Sequence, residues 1–414
     1  MTPSPRLSPA KSTFPTSTNK SPLGRRFGAL PGRRPIRQFL WPPRRRRNEK
    51  SKIYNHESTS CKGFDWNDRL RRGVCHRQRN TAHRRNETRL EGGNRVFSLT
   101  KNVMGVVDEI LKDPEAIGCQ VTRLGCGATV VDMGLNCKGS WKAALLFTRA
   151  TLGDLAIVQL GNFKLNEAYS FAAVEVFLEQ PMIACMGSQI AGWSLGEGEY
   201  ATIASGPARS QAVVDSDHYI HMTPYRDSYD RAVVCLQDIR LPGDDLAKEV
   251  AAACQVKPEN VYILISDSTC ITCSMQVSAR IIEQSCHKMM RNGFSAEQIV
   301  MCRGRAPIAP IVKDELKTMG RINDALIYGS EAEFWVDAKD EDIETVIHKM
   351  VGVSSSPKYG ELFVDVFDKA GRNFFNVEVD VHSIAKCQFH NVNTGRSFHA
   401  GKIDYELLER SFLS

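Results

Sequence analysis

The sequence predicts a protein of mixed helices and strands in two domains behind a disordered basic tail, and three observations carry that prediction. The first is length: 414 residues exceed one small module and, at about 100 to 200 residues per domain, suggest two folded domains. The second is a division of charge. Residues 1–96 carry 24 Lys and Arg against 6 Asp and Glu, a net of +18, whereas the remainder carries 30 against 41, a net of −11. The third is an alternation of short strand-like and helical segments that begins near residue 98.

The tail comes first in the chain. It holds 9 of the 18 prolines, all before residue 44, with clusters such as Arg44-Arg45-Arg46-Arg47 and little apolar periodicity. Such a segment cannot bury enough apolar area to offset its ordering entropy, so residues 1–96 are expected to be disordered. Three readings stay open for it. It is non-native sequence upstream of a later start, since Met104 lies in the first well-patterned helix; a targeting segment, which its proline density and lack of an apolar core disfavour; or a nucleic-acid-binding arm, with Trp41, Tyr54 and Trp66 among the arginines.

The elements follow in order. Val103 to Leu111 has helical spacing, the β-rich run Gly127 to Gly134 reads as a strand, and Leu155 to Leu160 as another. Asp244 to Ala253 is an acid-capped helix, followed after Pro258 by the strand Val261 to Ile265. Ser274 to Arg291 reads as one long amphipathic helix with cationic side chains in its last turn and a stop at Asn292-Gly293. Ala325 to Tyr328, Glu333 to Val336 and Glu361 to Phe367 are expected strands, Glu341 to Met350 and Asp404 to Phe412 helices, and Ser354 to Pro357 a loop. Leu241-Pro242-Gly243 is the expected hinge, placing the domains at 97–240 and 241–414.

Several chemistries lack an anchor. No run approaches the roughly 18 apolar residues of a membrane-spanning helix. Phosphate-loop, zinc-protease and nucleophile-elbow signatures are missing, and Gly196-Glu197-Gly198 lacks the third glycine of a dinucleotide fingerprint. Thirteen cysteines without regular spacing read as reduced core residues of a cytoplasmic protein, and the lone Cys270-Ile271-Thr272-Cys273 reads as packing, not as a metal or redox site.

Four stretches pair glycine with hydroxyl, amide or guanidinium groups: 187–193, 205–209, 304–310 and 319–324. Tight turns explain any one of them, but four together point to a shared ligand cleft. Arg280 and Glu283, three residues apart on a helix, project from one face within reach of each other. Spacing alone leaves open a solvated pair worth a few tenths of a kcal/mol, on the order of a surface salt bridge.

From about Ser98 onward the chain resembles the methenyltetrahydromethanopterin cyclohydrolase family. The resemblance is carried by Gly127-Ala128-Thr129-Val130-Val131-Asp132 with Gly139-Ser140-Trp141, by Ser188-Gln189 with Ala191-Gly192-Trp193, and by Ser205-Gly206-Pro207-Ala208-Arg209. It continues through Gln276 to Glu283, Ala306-Pro307-Ile308-Ala309-Pro310, Asn393-Thr394-Gly395 and Ala400-Gly401-Lys402-Ile403. It implies an α+β subunit of two mixed-layer domains with the pterin in a cleft between them, assembled as a homotrimer. The implied reaction is hydrolysis of 5,10-methenyltetrahydromethanopterin to the 5-formyl compound in one-carbon metabolism, formaldehyde oxidation included, without metal or organic cofactor. Arg280 and Glu283 match the family's Arg-x-x-Glu at the reacting carbon. The basic tail has no counterpart, and Arg305 stands where the pattern implies a smaller, neutral residue.

The carrier bears a phosphate and a carboxylate, whereas the folded part is net acidic, so local cations must capture it. Arg209, Lys313 and Arg321 are the expected anion contacts, and Ser188, Gln189, Gln276 and Asn323 the expected contacts to the pterin edge. Two rival readings are a pterin-binding protein without catalysis and nucleic-acid binding through the tail.

Overall fold

The computed structural model describes residues 97–198, 201–372 and 376–414. The expectations for the basic tail lie outside these residues.

Two six-stranded sheets organise the chain. Sheet 1 contains β1 (Gln120–Arg123), β2 (Thr129–Asp132), β5 (Trp193–Leu195), β6 (Thr202–Ser205), β7 (Ala232–Gln237) and β8 (Val261–Ser266), in the order β1-β2-β8-β7-β6-β5. Its centre, β2-β8-β7, is parallel and its flanks are antiparallel. Parallel strands are covered on both faces, and these are. Val131, Val233 and Leu264 face α1 (Leu99–Lys112) and α2 (Trp141–Thr151), while Val130, Val234 and Ile263 face α3 (Ala208–Ala212) and α4 (Asp244–Cys254). Adjacent residues of one strand thus feed different cores, as the strand period of two requires.

Sheet 2 contains β3 (Ile157–Lys164), β4 (Ser170–Leu178), β9 (Ile299–Pro307), β10 (Glu331–Val336), β11 (Lys386–Asn391) and β12 (Ser397–Gly401), in the order β12-β11-β10-β9-β4-β3. Only β10 and β11 run parallel. Val174, Val176 and Phe334 bury one face against α6 (Ile281–Arg291) and α8 (Asp340–Met350). Across β4, β9, β10 and β11, the paired residues Glu175, Arg305, Glu331 and Lys386 form a ladder of opposite charges, with N···O separations of 3.3 to 3.5 Å. Arg305 therefore sits on this ladder, held by two carboxylates. A further apolar cluster joins α7 (Glu315–Gly329), α10 (Phe363–Lys369) and α11 (Tyr405–Phe412) through Tyr328, Phe363, Phe367 and Leu408.

The α+β class with two sheet-centred halves is observed. The expected boundary at residue 241 does not separate the sheets: β8 of sheet 1 follows it, and β3 and β4 of sheet 2 precede it. Ala325–Tyr328 is not a strand but the last turn of α7, and Glu361–Phe367 leads into the helix α10. Residues 325–328 are a short apolar run and residues 362–364 another, and buried helices and buried strands share that pattern. Ser354 and Ser355 of the expected loop close a one-turn helix, α9 (Gly352–Ser355), while Ser356-Pro357 follow it outside any helix or strand.

Candidate active site

The segment expected as one helix over 274–291 is two. α5 (Ile271–Ser278) ends at Ala279, and Arg280, with φ −83° and ψ 14°, begins α6 from its N-cap position. Close packing accompanies the break: a Cβ on Gly304 of β9 would lie 3.1 Å from side-chain atoms of both Ile281 and Ile282. The carbonyl of Ala279, released from the helix ladder, accepts a long hydrogen bond of 3.4 Å from Gln189 Nε2. The break also places Glu283 in the first turn of a new helix, where backbone N–H dipoles favour a carboxylate.

Arg280 Nη1 donates to Glu283 Oε2 at 2.8 Å, and Nη2 donates to Ser205 Oγ at 3.1 Å. The pair is partly sheltered, the side chains being 18% and 11% exposed, so it is neither a surface pair nor a sealed one. Burial pushes the Glu283 carboxyl above the usual carboxylate range, while the charges of Arg280 and, further off, Arg209 act in the opposite sense. The net upward shift brings a would-be base closer to neutral pH. No described residue donates to Glu283 Oε1. A cavity opens beside the guanidinium, lined by Arg280, Gln276, Ser205, Gln237, Thr151 and Ala191 among others.

Two of the four glycine-containing stretches meet here. The turn after β6 brings Ser205 to the cavity, and Gly206, at φ +102°, donates its N–H to Ser188 O at 2.9 Å. A Cβ on Gly206 would lie 3.0 Å from Val233 O and 3.1 Å from Cys235 N, so the close approach to β7 needs glycine.

The other expected ligand contacts divide. Gln276 lines the cavity. Gln189 is fully buried, and its Oε1 has no hydrogen-bond partner. Ser188 is also buried, donating to Thr151 O at 2.7 Å. Arg209 is engaged internally: with its side chain wholly buried, it donates from Nε and Nη2 to Asp217 at 2.6 and 2.8 Å and from Nη1 to Met186 O at 3.0 Å. Arg321 is likewise engaged, with Nε on Ser411 O at 2.9 Å and Nη2 on Ser414 O at 2.7 Å, tying the C-terminus to α7. The Nδ2 of Asn323 donates to Met319 O one turn back in the same helix. Lys313 is exposed in the connection between β9 and α7.

Ser205, Thr151 and Gln237 were not singled out by sequence reasoning. The only signal was for Ser205, which opens the Ser-Gly-Pro-Ala-Arg block. Cys270 and Cys273 are buried, Cys270 Sγ accepting from Thr272 N at the start of α5. Among the described residues no group of three or more His, Cys, Asp or Glu is placed to hold a metal ion, and no helix is long and apolar enough to cross a membrane.

A model of the family described as Cyclohydrolase (MCH) matches residues 98–412, three quarters of the chain. The chain belongs to this cyclohydrolase family. The matched span runs from the N-cap of α1 to the last residue of α11, so it takes in both sheets and the Arg280–Glu283 pair. Among curated cyclohydrolases, the methenyltetrahydromethanopterin cyclohydrolase of Methanothermobacter marburgensis is 34% identical over 319 residues, 77% of this chain and 99% of that protein. The enzymes of the same name from Methanocaldococcus jannaschii and Methanococcoides burtonii are each 33% identical over 318 residues, covering 98% of their own lengths. The basic tail lies outside the span that the family model matches, as it does outside the described residues.

Proposed function

We propose that this chain hydrolyses 5,10-methenyltetrahydromethanopterin to the 5-formyl compound, with Glu283 as the proton carrier and Arg280 as its partner. The observation that carries the assignment of roles is the partly sheltered Arg280–Glu283 pair, 2.8 Å apart, whose arginine lines the cavity. The methenyl bridge joins two nitrogens as an amidinium cation that is already electrophilic. The protein needs only to deliver water to that carbon and a proton to the departing nitrogen.

One carboxylate does both. Ionised Glu283 accepts a proton at Oε1 from the attacking water, a C–O bond forms, and a neutral tetrahedral adduct bearing a hydroxyl results. The carboxyl then returns that proton to the departing nitrogen as its C–N bond breaks, and the hydroxyl proton passes to solvent as the C=O bond forms, so one proton is released overall and the formyl group stays on the other nitrogen. Its charge also favours the cationic substrate. Arg280 keeps Oε2 engaged, so that Oε1 faces the reaction, and favours the ionised form. The proposed reaction uses no metal or organic cofactor. Residues Gln189 and Gln276 offer amides to the pterin edge, and an unpartnered Oε1 on buried Gln189 suits a ring N–H. The family relationship supports a homotrimer working in the cytoplasm, in the hydrolytic direction of formaldehyde oxidation.

The test is loss of the methenyl absorbance with the purified full-length chain, beside the tetrahydrofolate analogue. Glu283→Gln should lower kcat by about 100-fold or more, the usual range for a general base, with ligand affinity retained. Near-normal turnover by that variant would remove Glu283 as the proton carrier.

A further inference from the structure

We infer that Ser205 is the positioning residue that fixes Arg280 for the reaction, a role that rests on the hydrolytic reading above. The guanidinium is held at two points: Nη1 on Glu283 Oε2 at 2.8 Å and Nη2 on Ser205 Oγ at 3.1 Å. Without the second, Arg280 has one tether and a long side chain free to rotate about it. With both, the plane of the fork is set, and its remaining N–H groups are confined to the side on which Arg280 lines the cavity.

Ser205 is well suited to hold a charge in place. It is 4% exposed, sits at the end of β6 and pairs across the sheet with Cys235 of β7. The next residue, Gly206, is locked against Val233 O and Cys235 N and hydrogen-bonded to Ser188 O. Ser188 is anchored in turn through its own hydroxyl to Thr151 O, and Arg209 Nη1 reaches Ser188 O at 3.4 Å. The buried Arg209–Asp217 pair and Ser188 therefore act as the frame that keeps one hydroxyl still.

Bonding direction adds a second consequence. Arginine has no acceptor, so Ser205 Oγ accepts from Arg280, and its own proton must point elsewhere. No described residue accepts it, while Ser205 lines the cavity. An accepted charge-assisted bond polarises that O–H toward whatever occupies the cavity.

The experiment compares wild type, Ser205→Ala and Ser205→Thr in full-length chains by methenyl absorbance across pH. Loss of a hydrogen bond to a charged group predicts kcat lower by about 10- to 100-fold in Ser205→Ala, with KM changed less than about threefold. Because Arg280 counters the upward pull of burial on Glu283, loosening it should move the acidic limb of the kcat profile to higher pH. Ser205→Thr keeps the hydroxyl and should restore most of kcat and the wild-type limb. A Ser205→Ala enzyme with unchanged kcat and limb would overturn the inference, as would a kcat loss with an unmoved limb, which would mean local distortion alone. Substrate binding by each variant, followed by the shift of the bound methenyl spectrum, separates a folded but slow enzyme from a misfolded one. Absence of turnover by wild type would instead sink the hydrolytic reading on which the role depends.

Discussion

Two of the arginine–carboxylate pairs in this molecule, Arg209–Asp217 and Arg280–Glu283, have opposite characters. Arg209 and Asp217 are sealed, at 0% and 1% side-chain exposure, and joined by two bonds of 2.6 and 2.8 Å with a backbone carbonyl on the remaining nitrogen. Arg280 and Glu283 touch through one bond, keep 18% and 11% exposure, and leave Oε1 and several N–H groups without a described partner, with Arg280 lining a cavity. The sealed pair has no valence left for chemistry. The open pair can change partners during a reaction, and its carboxyl is pushed upward by burial that a single bond only partly offsets. A buried pair is a site when its hydrogen-bonding capacity is incomplete, not because it is buried.

The largest effect that would break this comparison is on stability. Asp217→Asn should leave the Arg209 charge buried without its counter-ion and destabilise the chain by about 3 to 5 kcal/mol, read from the urea midpoint. Glu283→Gln, by contrast, removes a carboxylate that burial already disfavours and should change stability by less than about 1 kcal/mol, since functional sites are rarely optimised for stability. Equal losses in the two variants would mean that Arg280–Glu283 is as structural as Arg209–Asp217.

A further buried carboxylate sharpens the same point because no described cation bonds to it, the charge of Arg410 acting only from a distance. Asp324 of α7 is 1% exposed and accepts only from Phe363 N at 2.8 Å and Ser411 Oγ at 2.7 Å, and burial pushes its pKa up to about 7. A carboxyl with a raised folded value holds its proton in the folded chain after the unfolded chain has released it. Its contribution is therefore full below about pH 4 and is lost as pH rises toward 7. The stability difference between wild type and Asp324→Asn should fall by on the order of 2 kcal/mol between pH 5 and 8, to the disadvantage of wild type. A difference that stays flat over that window would show that neutral donors suffice to keep Asp324 ionised.

These contrasts mark what could be read from the sequence. Strand runs such as Val261 to Ile265 and the helix α4 with its acidic first turn were legible because period and end charges are local properties, although Gly243 at the N-cap leaves α4 without the expected side-chain cap. Arg280 and Glu283 were legible as neighbours for the same reason. The break at Ala279–Arg280 was not, because it accompanies the close packing of Gly304 on Ile281 and Ile282, a contact between residues more than twenty positions apart. Nor was the role of Arg209: a guanidinium beside a glycine-containing stretch looks the same in sequence whether it meets a ligand or a buried Asp217. Ser205 lay in a quoted motif, yet only its position across from Arg280, 75 residues later, gives it meaning.

The smallest expected effect concerns capture of the substrate's anionic tail. Of the three cations expected there, Arg209 and Arg321 are engaged internally, and Lys313 is exposed with no ion pair to any described residue. An exposed ammonium acts on a mobile phosphate or carboxylate through screened charge, worth at most about 1 kcal/mol. Lys313→Ala should therefore raise KM by roughly two- to fivefold with kcat unchanged, a shift of that same small energy. The effect should shrink as salt is raised from about 0.05 to 0.5 M, because the screening length falls over that range. A salt-independent KM change would point to packing by the lysine stem. No change at all would mean that the tail is recognised by backbone and neutral side chains, with the acidic folded part of the chain contributing no cation to its capture.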